Sequence, residues 1–140
     1  MTEDYILIAE DDEDDQFLLQ SAFKEIGYNI DLIFVNNGIA LLNHFKEIDN
    51  GTISKLPLLL VVDLNMPKKN GKEAIKELSA KHYFKAFSTI IFSTTSNDTE
   101  KNKCRELGVN DFFVKPSNYK DLISLVNTFK MLALSGIKEI

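Results

Sequence analysis

The apolar residues of this chain form five short runs, each too short to make an independent helix. They lie at residues 5–9, 32–35, 58–62, 90–92 and 112–114. None of the runs alternates polar with apolar residues, as a strand with one face in water would. Strands that are buried on both faces of a parallel sheet have this continuous pattern. The runs therefore predict five buried strands of a parallel sheet.

Between these runs, apolar residues recur at the spacing of one face of a helix. The predicted stripes are Leu18, Leu19, Ala22, Phe23 and Ile26; Leu41, Leu42, Phe45 and Ile48; Ala74, Ile75 and Leu78; and Leu122, Leu125, Val126, Phe129 and Leu132. A weaker, polar helix is predicted over residues 98–107, and the last helix over 118–134. A strand followed by a helix, five times over, predicts an α/β fold with a doubly wound parallel sheet.

Composition narrows the class of protein. The chain has 140 residues, a length typical of one domain, and a net charge of −5, which argues against a nucleic-acid partner. No apolar run approaches the roughly 18 residues of a membrane-spanning helix, so no membrane partner is expected. Cys104 is the only cysteine and cannot form an internal disulfide, which favours the reducing cytoplasm.

Polar residues collect directly after four of the five predicted strands. Ligands of open α/β sheets bind outside the carboxyl ends of the strands, so these side chains should share one edge of the sheet. They are Glu10, Asp11 and Asp12 after the first strand, Asp63 after the third, Ser93 and Thr94 after the fourth, and Lys115 with Pro116 after the fifth. This convergence of carboxylates, hydroxyls and an ammonium is the main functional signal.

The acidic residues have two interpretations. Glu13, Asp14 and Asp15 are typical of a helix N-terminus, and Asp63 taken alone could be a turn residue. A cluster of carboxylates, however, is costly, because two unit charges 4 Å apart repel by about 4 kcal/mol at an effective dielectric of about 20. We therefore expect Mg²⁺ between them, with Asp11 and Asp63 as ligands and Glu10 reached through water.

The chemistry of this edge also suggests phosphoryl transfer. A carboxylate can act as a nucleophile and form an aspartyl phosphate. Mg²⁺, Lys115 and a hydroxyl would then offset the charge of the phosphoryl oxygens.

Four segments together resemble a known family. Residues 6–12, 61–67, 92–94 and 113–116, in this order and at strand ends, resemble the response-regulator receiver domain of bacterial two-component signalling, of the chemotaxis-regulator type. The resemblance implies a flavodoxin-like fold with five helices and a five-stranded parallel sheet in the order 2-1-3-4-5. The chain stops after its last helix, so we expect a single domain over residues 1–140 without an output domain. Residues 63–71 and 115–118 look like stand-alone receivers that serve phytochrome-type and other hybrid kinases.

The resemblance also implies roles for individual residues. It makes Asp63 the phosphoacceptor, which receives its phosphoryl group from a phosphohistidine on a sensor histidine kinase or phosphotransfer protein. It makes Lys115 the phosphate-contacting lysine, with a cis peptide bond before Pro116. It implies that Glu10 and Asp11 bind Mg²⁺ together with Asp63 and the backbone carbonyl of Asn65. Asp12 lies one position past the expected pair, and its role is left open.

The same resemblance implies three switch residues, Ser93, Phe112 and Pro116. Ser93 lies 30 residues after Asp63 and 22 before Lys115, which fits the family's spacing better than Thr94 does. Phe112, three residues before the lysine, matches the switch aromatic and lacks the hydroxyl that many members have. A plain core position is the alternative for Phe112.

The family's usual signalling surface consists of the fourth helix, the fifth strand and the fifth helix. Ile123, Met131 and Leu134 lie outside the apolar stripe of the last helix, so we expect a homodimer or a downstream protein target to bind there, unless the C-terminal tail covers them. His44 and His82 are expected at the surface, and Cys104 is expected to face a helix interior or a groove.

Two other classes remain as alternatives. One is a pseudo-receiver that binds partners without phosphorylation, although the phosphoacceptor and the lysine are both present. The other is a haloacid-dehalogenase-type phosphatase, which would need a second aspartate where this chain has Asn65. The favoured interpretation is not an enzyme but a phosphoacceptor, with at most its own phosphorylation and dephosphorylation as activity.

Overall fold

A computed structural model describes residues 4–94 and 97–137. All strands are parallel and form one sheet in the order β2-β1-β3-β4-β5, which confirms the predicted topology. They are β1 (Tyr5–Ala9), β2 (Asp31–Val35), β3 (Leu59–Val62), β4 (Ser88–Ser93) and β5 (Asp111–Val114). The polar residues that follow β1, β3, β4 and β5 therefore lie along one edge.

Helices connect the strands. They are α1 (Glu13–Glu25), α2 (Gly38–Asp49), α3 (Gly71–Leu78), α4 (Asp98–Glu106) and α5 (Tyr119–Ile137), with a short 3-10 turn at Phe84–Ala86. Each of the first four helices begins after an Asp or Asn whose side chain accepts backbone N–H groups of the first turn: Asp12, Asn37, Asn70 and Asn97. In the described ranges, no helix is both long and apolar enough to cross a membrane.

The sheet separates two hydrophobic cores. On one face, α2, α3 and α4 pack over the sheet through residues such as Phe45, Ile75 and the buried Cys104. On the other face, α1 and α5 pack through residues such as Phe23 and Phe129. Every residue of the predicted apolar stripes belongs to one of these cores except Leu18, which is 40% exposed, so its predicted burial was wrong.

The two outer strands differ from the prediction of burial on both faces. In β2, exposed positions alternate with partly buried ones, and Ile33 is 39% exposed. β5 has an exposed residue at each end, Asp111 and Val114. Both strands lie at sheet edges, where neighbouring helices cover less of their surface than they cover of β1, β3 and β4.

His44 was expected at the surface, and this prediction was wrong. It lies three residues after Leu41 on the inward face of α2, where its ring is buried. Its Nε2 lies 2.9 Å from the Tyr5 hydroxyl, which itself donates to the Lys55 carbonyl at 2.7 Å. Burial lowers the pKa of His44. His82 is exposed, as expected.

The loop between β3 and α3 is held against the start of α2. The Gly38 amide donates to the Lys69 carbonyl at 2.8 Å, and a Cβ at Gly38 would lie 2.1 Å from that carbonyl oxygen. At the other end of the loop, a Cβ at Gly71 would lie 2.4 Å from the carbonyl oxygen of Asp63. Two glycines therefore allow the close packing of the segment that follows Asp63.

Candidate functional site

Five of the polar residues selected from the sequence come together at the carboxyl edge of the sheet: Glu10, Asp11, Asp63, Ser93 and Lys115. Backbone hydrogen bonds continue the strand ladders to this point, from Asp63 N to Ala9 O at 3.0 Å and from Lys115 N to Ser93 O at 2.8 Å. Glu10, Asp63 and Ser93 are buried there, and Lys115 reaches in from the end of β5.

The Lys115 ammonium is the centre of the site. Its Nζ lies 2.7 Å from Glu10 Oε1, 2.8 Å from Asp15 Oδ2 and 3.0 Å from Asp63 Oδ2. The side chain is only 11% exposed. An ammonium has three N–H donors, so three carboxylates are enough to engage all of them.

Both oxygens of the Asp63 carboxylate have donors. Oδ1 accepts from the backbone N–H of Asn65 at 3.0 Å and from the Ser93 hydroxyl at 3.3 Å, and Oδ2 accepts from Lys115. The Asn65 side-chain amide lies 3.5 Å from the same hydroxyl. The structure thus brings Ser93 to Asp63, whereas Thr94 is exposed. The switch role of either residue stays a prediction.

Burial shapes the charge states in the site. It raises the pKa of Glu10 to about 7, and the hydrogen bond and charge of Lys115 oppose that rise. Burial by itself would lower the pKa of Lys115, but its hydrogen bonds to Asp15, Glu10 and Asp63 outweigh burial and raise it. The lysine is therefore firmly positive, whereas Glu10 takes up a proton more easily than an ordinary glutamate.

The donor set suits a hard divalent cation. Glu10, Asp11 and Asp63 each offer a carboxylate oxygen within 4.8 Å of the others, and Asp11 is exposed, which leaves a side open to water. Mg²⁺ favours such oxygen ligands and keeps several waters. Glu10 contacts Lys115 directly here. The ligand role of the Asn65 carbonyl stays a prediction.

Asp12 and Asp15 make different contacts at the start of α1. Asp12 caps α1, because its Oδ1 accepts from the backbone N–H groups of Asp14 and Asp15. Asp15 was assigned from the sequence to the helix N-terminus alone, but its side chain reaches Lys115. No local signal could have shown this contact, since the two residues are 100 positions apart and meet only through the packing of α1.

The cis peptide bond expected before Pro116 is wrong. Every peptide bond in the described ranges is trans. The trans form of a bond before proline is favoured by about 0.5–1 kcal/mol unless the surroundings select cis. Lys115 reaches Asp63 with the trans bond in place.

The expected signalling surface is only partly as predicted. Phe112 is half-buried against the α2–α3–α4 core, with Lys101 Nζ 5.4 Å from its ring centre. Met131 is 68% exposed. Ile123 instead packs against the α1–α5 core, and Leu134 is half-buried, because the inward face of α5 is wider than the predicted stripe.

Fold and site together define a class of protein. A doubly wound parallel sheet carries, at its carboxyl edge, a buried aspartate in contact with a lysine and a serine, beside two further acidic residues. This is an α/β protein with a cluster of acidic side chains that could bind a metal ion at one edge of its sheet.

The chain belongs to the response regulator receiver domain family, which it matches over residues 6–127. It is 31% identical over 132 residues to response regulator Rcp1 of Synechocystis, covering 94% of this chain and 90% of Rcp1. The phosphorylated cyanobacterial phytochrome response regulator RcpA superposes with a TM-score of 0.84 at 25% identity, covering 96% of each chain. The Mn²⁺-bound form of Rcp1 superposes with a TM-score of 0.79 at 29% identity, covering 91% of each. Receiver domains belong to two-component signalling, where they interact with histidine kinases and downstream proteins.

Proposed function

We propose that this receiver domain accepts a phosphoryl group on Asp63 from the phosphohistidine of a sensor histidine kinase or a phosphotransfer protein. The observation that carries the proposal is the position of the Asp63 carboxylate. It is buried at the sheet edge, with Lys115 on one oxygen and Ser93 on the other. Such surroundings are suited to a group that gains phosphoryl oxygens.

The transfer is a simple displacement. A carboxylate oxygen of Asp63 attacks the phosphorus, a P–O bond forms, the P–N bond breaks and its electron pair returns to the imidazole nitrogen. Lys115 and Ser93 already point at the two carboxylate oxygens, so each can donate to a phosphoryl oxygen after small movements. Mg²⁺, when bound by Glu10, Asp11, Asp63 and the Asn65 carbonyl, would supply positive charge for the phosphoryl group.

The signal would leave through the neighbouring strands. When Ser93 turns toward a phosphoryl oxygen, space opens beside β4, and Phe112 on β5 moves inward. Pro116 lies directly after the lysine and would move with it. We propose that these changes alter the surface of α4, β5 and α5, where Phe112 and Met131 are accessible in part or in full.

The partners follow from this surface and from the relatives. Rcp1 and a phytochrome response regulator are similar to this chain, which supports a phytochrome-type kinase as donor. A downstream protein, or a second copy of the chain, would bind α4, β5 and α5. The unpaired, buried Cys104 supports a reducing compartment, and we propose the cytoplasm.

Intact-mass measurement after incubation with acetyl phosphate and Mg²⁺ tests the phosphoacceptor. We expect the wild type and the matched control Asp121→Asn, which changes an exposed carboxylate, to gain one phosphoryl group. Asp63→Asn should gain none. If the wild type gains nothing from acetyl phosphate or from a phosphorylated phosphotransfer protein, the alternative of phosphorylation-independent binding replaces this proposal.

Sedimentation velocity with and without beryllofluoride tests self-association. We expect a larger sedimentation coefficient with beryllofluoride and Mg²⁺ in the wild type and a smaller change in Met131→Lys, because Met131 is the most exposed apolar residue over positions 119–135 of α5. A monomer in both states would contradict the homodimer and leave a downstream protein as the partner.

A further inference from the structure

Asp15 extends the site beyond the residues that the sequence motifs contain. It lies in the first turn of α1, and this turn is fastened to the end of β1. Asp12 accepts the N–H groups of Asp14 and Asp15 at 2.8 and 3.1 Å, and the Gln16 side-chain amide donates to the Glu10 carbonyl at 2.7 Å. The start of the helix therefore holds the Asp15 carboxylate beside Lys115.

The three donors of Lys115 limit what the site can bind. In this structure they face Glu10, Asp15 and Asp63. A phosphoryl oxygen can receive a hydrogen bond from the ammonium only if one of these contacts is given up or shared. Phosphorylation changes Asp63 itself and removes its negative carboxylate charge, but Asp15 remains a competing anion.

Electrostatics works in the same direction. An aspartyl phosphate brings additional negative charge to an edge that already carries Glu10, Asp11 and Asp15. Glu10 and Asp11 would face a bound cation, whereas Asp15 contacts the lysine and lies outside the cluster of possible cation ligands. Its charge is therefore the one that a bound cation would not directly offset, so only Lys115 balances it.

We propose that Asp15 is a positioning residue that holds the Lys115 ammonium in the unphosphorylated site. By the same contact, it weakens the binding of that ammonium to a phosphoryl group. This inference rests on the proposed function of Asp63. Asp15 acts through Lys115 and sets how tightly the site retains phosphate.

A simple capping role for Asp15 makes a different prediction. An acidic residue in the first turn of α1 favours the helix through its dipole, and the neighbouring Asp14 does so equally. Asp14 is exposed and lies in the same turn. Asp14→Asn therefore matches Asp15→Asn in charge change and lies in the same turn, one residue nearer the helix end, without the contact to Lys115.

The experiment is a beryllofluoride titration of the full chain at saturating Mg²⁺, followed through the amide signals of residues 61–67. We expect Asp15→Asn to lower the apparent dissociation constant about two- to fivefold, the range of a partly exposed ion pair, since the Asp15 side chain is 33% exposed. Asp14→Asn should bind like the wild type. Melting curves of both variants measure the stability change separately from the binding, since Asp15→Asn also removes the ion pair with Lys115.

Each outcome decides the matter. Tighter binding in Asp15→Asn alone supports the proposal. Equal binding in all three proteins, equal tightening in both variants, or weaker binding in Asp15→Asn overturns it. If the wild type fails to bind beryllofluoride at all, the proposed function of Asp63 is overturned instead, so the two failures are distinguishable.

Discussion

Lys115→Met should destabilise the metal-free domain far more than the loss of an ordinary surface lysine. Methionine keeps most of the length and volume of the side chain but removes the ammonium. Glu10 is 1% exposed and its Oε1 lies 2.7 Å from Nζ, while the buried Asp63 carboxylate lies 3.0 Å away. Both carboxylates would lose their nearest positive charge.

The expected loss follows from this burial. Removal of one partner from a buried ion pair costs about 3–5 kcal/mol. Glu10 can relieve part of this cost by taking up a proton, since burial already raises its pKa to about 7. Above about pH 4.5, the folded variant then binds more protons than its unfolded chain does. The free energy of unfolding of the variant therefore falls as the pH rises above 4.5. We expect a loss of about 2–4 kcal/mol at pH 8, and a smaller one at pH 6.

Urea unfolding followed by far-ultraviolet circular dichroism measures this loss, in EDTA and in Mg²⁺, at pH 6 and pH 8. Mg²⁺ should restore part of the stability, because a cation replaces the missing charge. Lys81→Met is the control, since it breaks an exposed ion pair with Asp49 and should cost below about 1 kcal/mol. Equal losses for the two variants at pH 8 without metal would refute the central role of Lys115.

Three further outcomes are expected. Mg²⁺ at ten times its dissociation constant should stabilise the wild type by about 1.4 kcal/mol, a rise of roughly 3–6 °C in the melting midpoint, and Asp11→Asn should lose this rise; a wild type that ignores Mg²⁺ would count against the metal site. Ser93→Val should still accept phosphate at Asp63 but fail to shift the amide signals of residues 108–118, and normal shifts would point to Thr94. His44→Phe should gain stability relative to the wild type as pH falls below about 6.5, because only the wild type has a histidine that is buried neutral when folded and takes up a proton when unfolded; a difference that does not vary with pH would contradict this account.

Most of the fold could be predicted from the alternation of strands and helices along the sequence. Continuous apolar runs and helical stripes are formed by residues close in sequence, so they can be recognised in the sequence itself. The topology then places the carboxyl ends of the strands at one edge of the sheet. This is why Asp63, Ser93 and Lys115 could be selected before their contacts were known. The exposure of edge strands is harder to predict from the sequence, because the exposure of Ile33 depends on which strand lies outermost in the sheet.

Contacts between elements far apart in the chain could not be predicted from the sequence. The contact of Asp15 with Lys115 depends on how α1 lies against the end of β5, and the burial of His44 depends on its alignment with Tyr5. A carboxylate in the first turn of a helix and a histidine in a helix both have common surface explanations. The local pattern therefore gave the wrong environment for His44, whereas it placed Asp15 correctly in the first turn of α1 but missed its contact with Lys115.

The close approach at Gly38 separates two kinds of intolerance that a saturation mutagenesis library would reveal. Gly27 has a φ of 74° and open space around its missing Cβ, so asparagine, which tolerates this backbone region, should be accepted there. At Gly38 the obstacle is an oxygen atom of the chain itself, 2.1 Å from where a Cβ would stand. Every substitution there, even alanine, must displace the Lys69 carbonyl. After selection of the library for signalling, only glycine should remain at position 38. At position 27, glycine and a few other residues such as asparagine should remain.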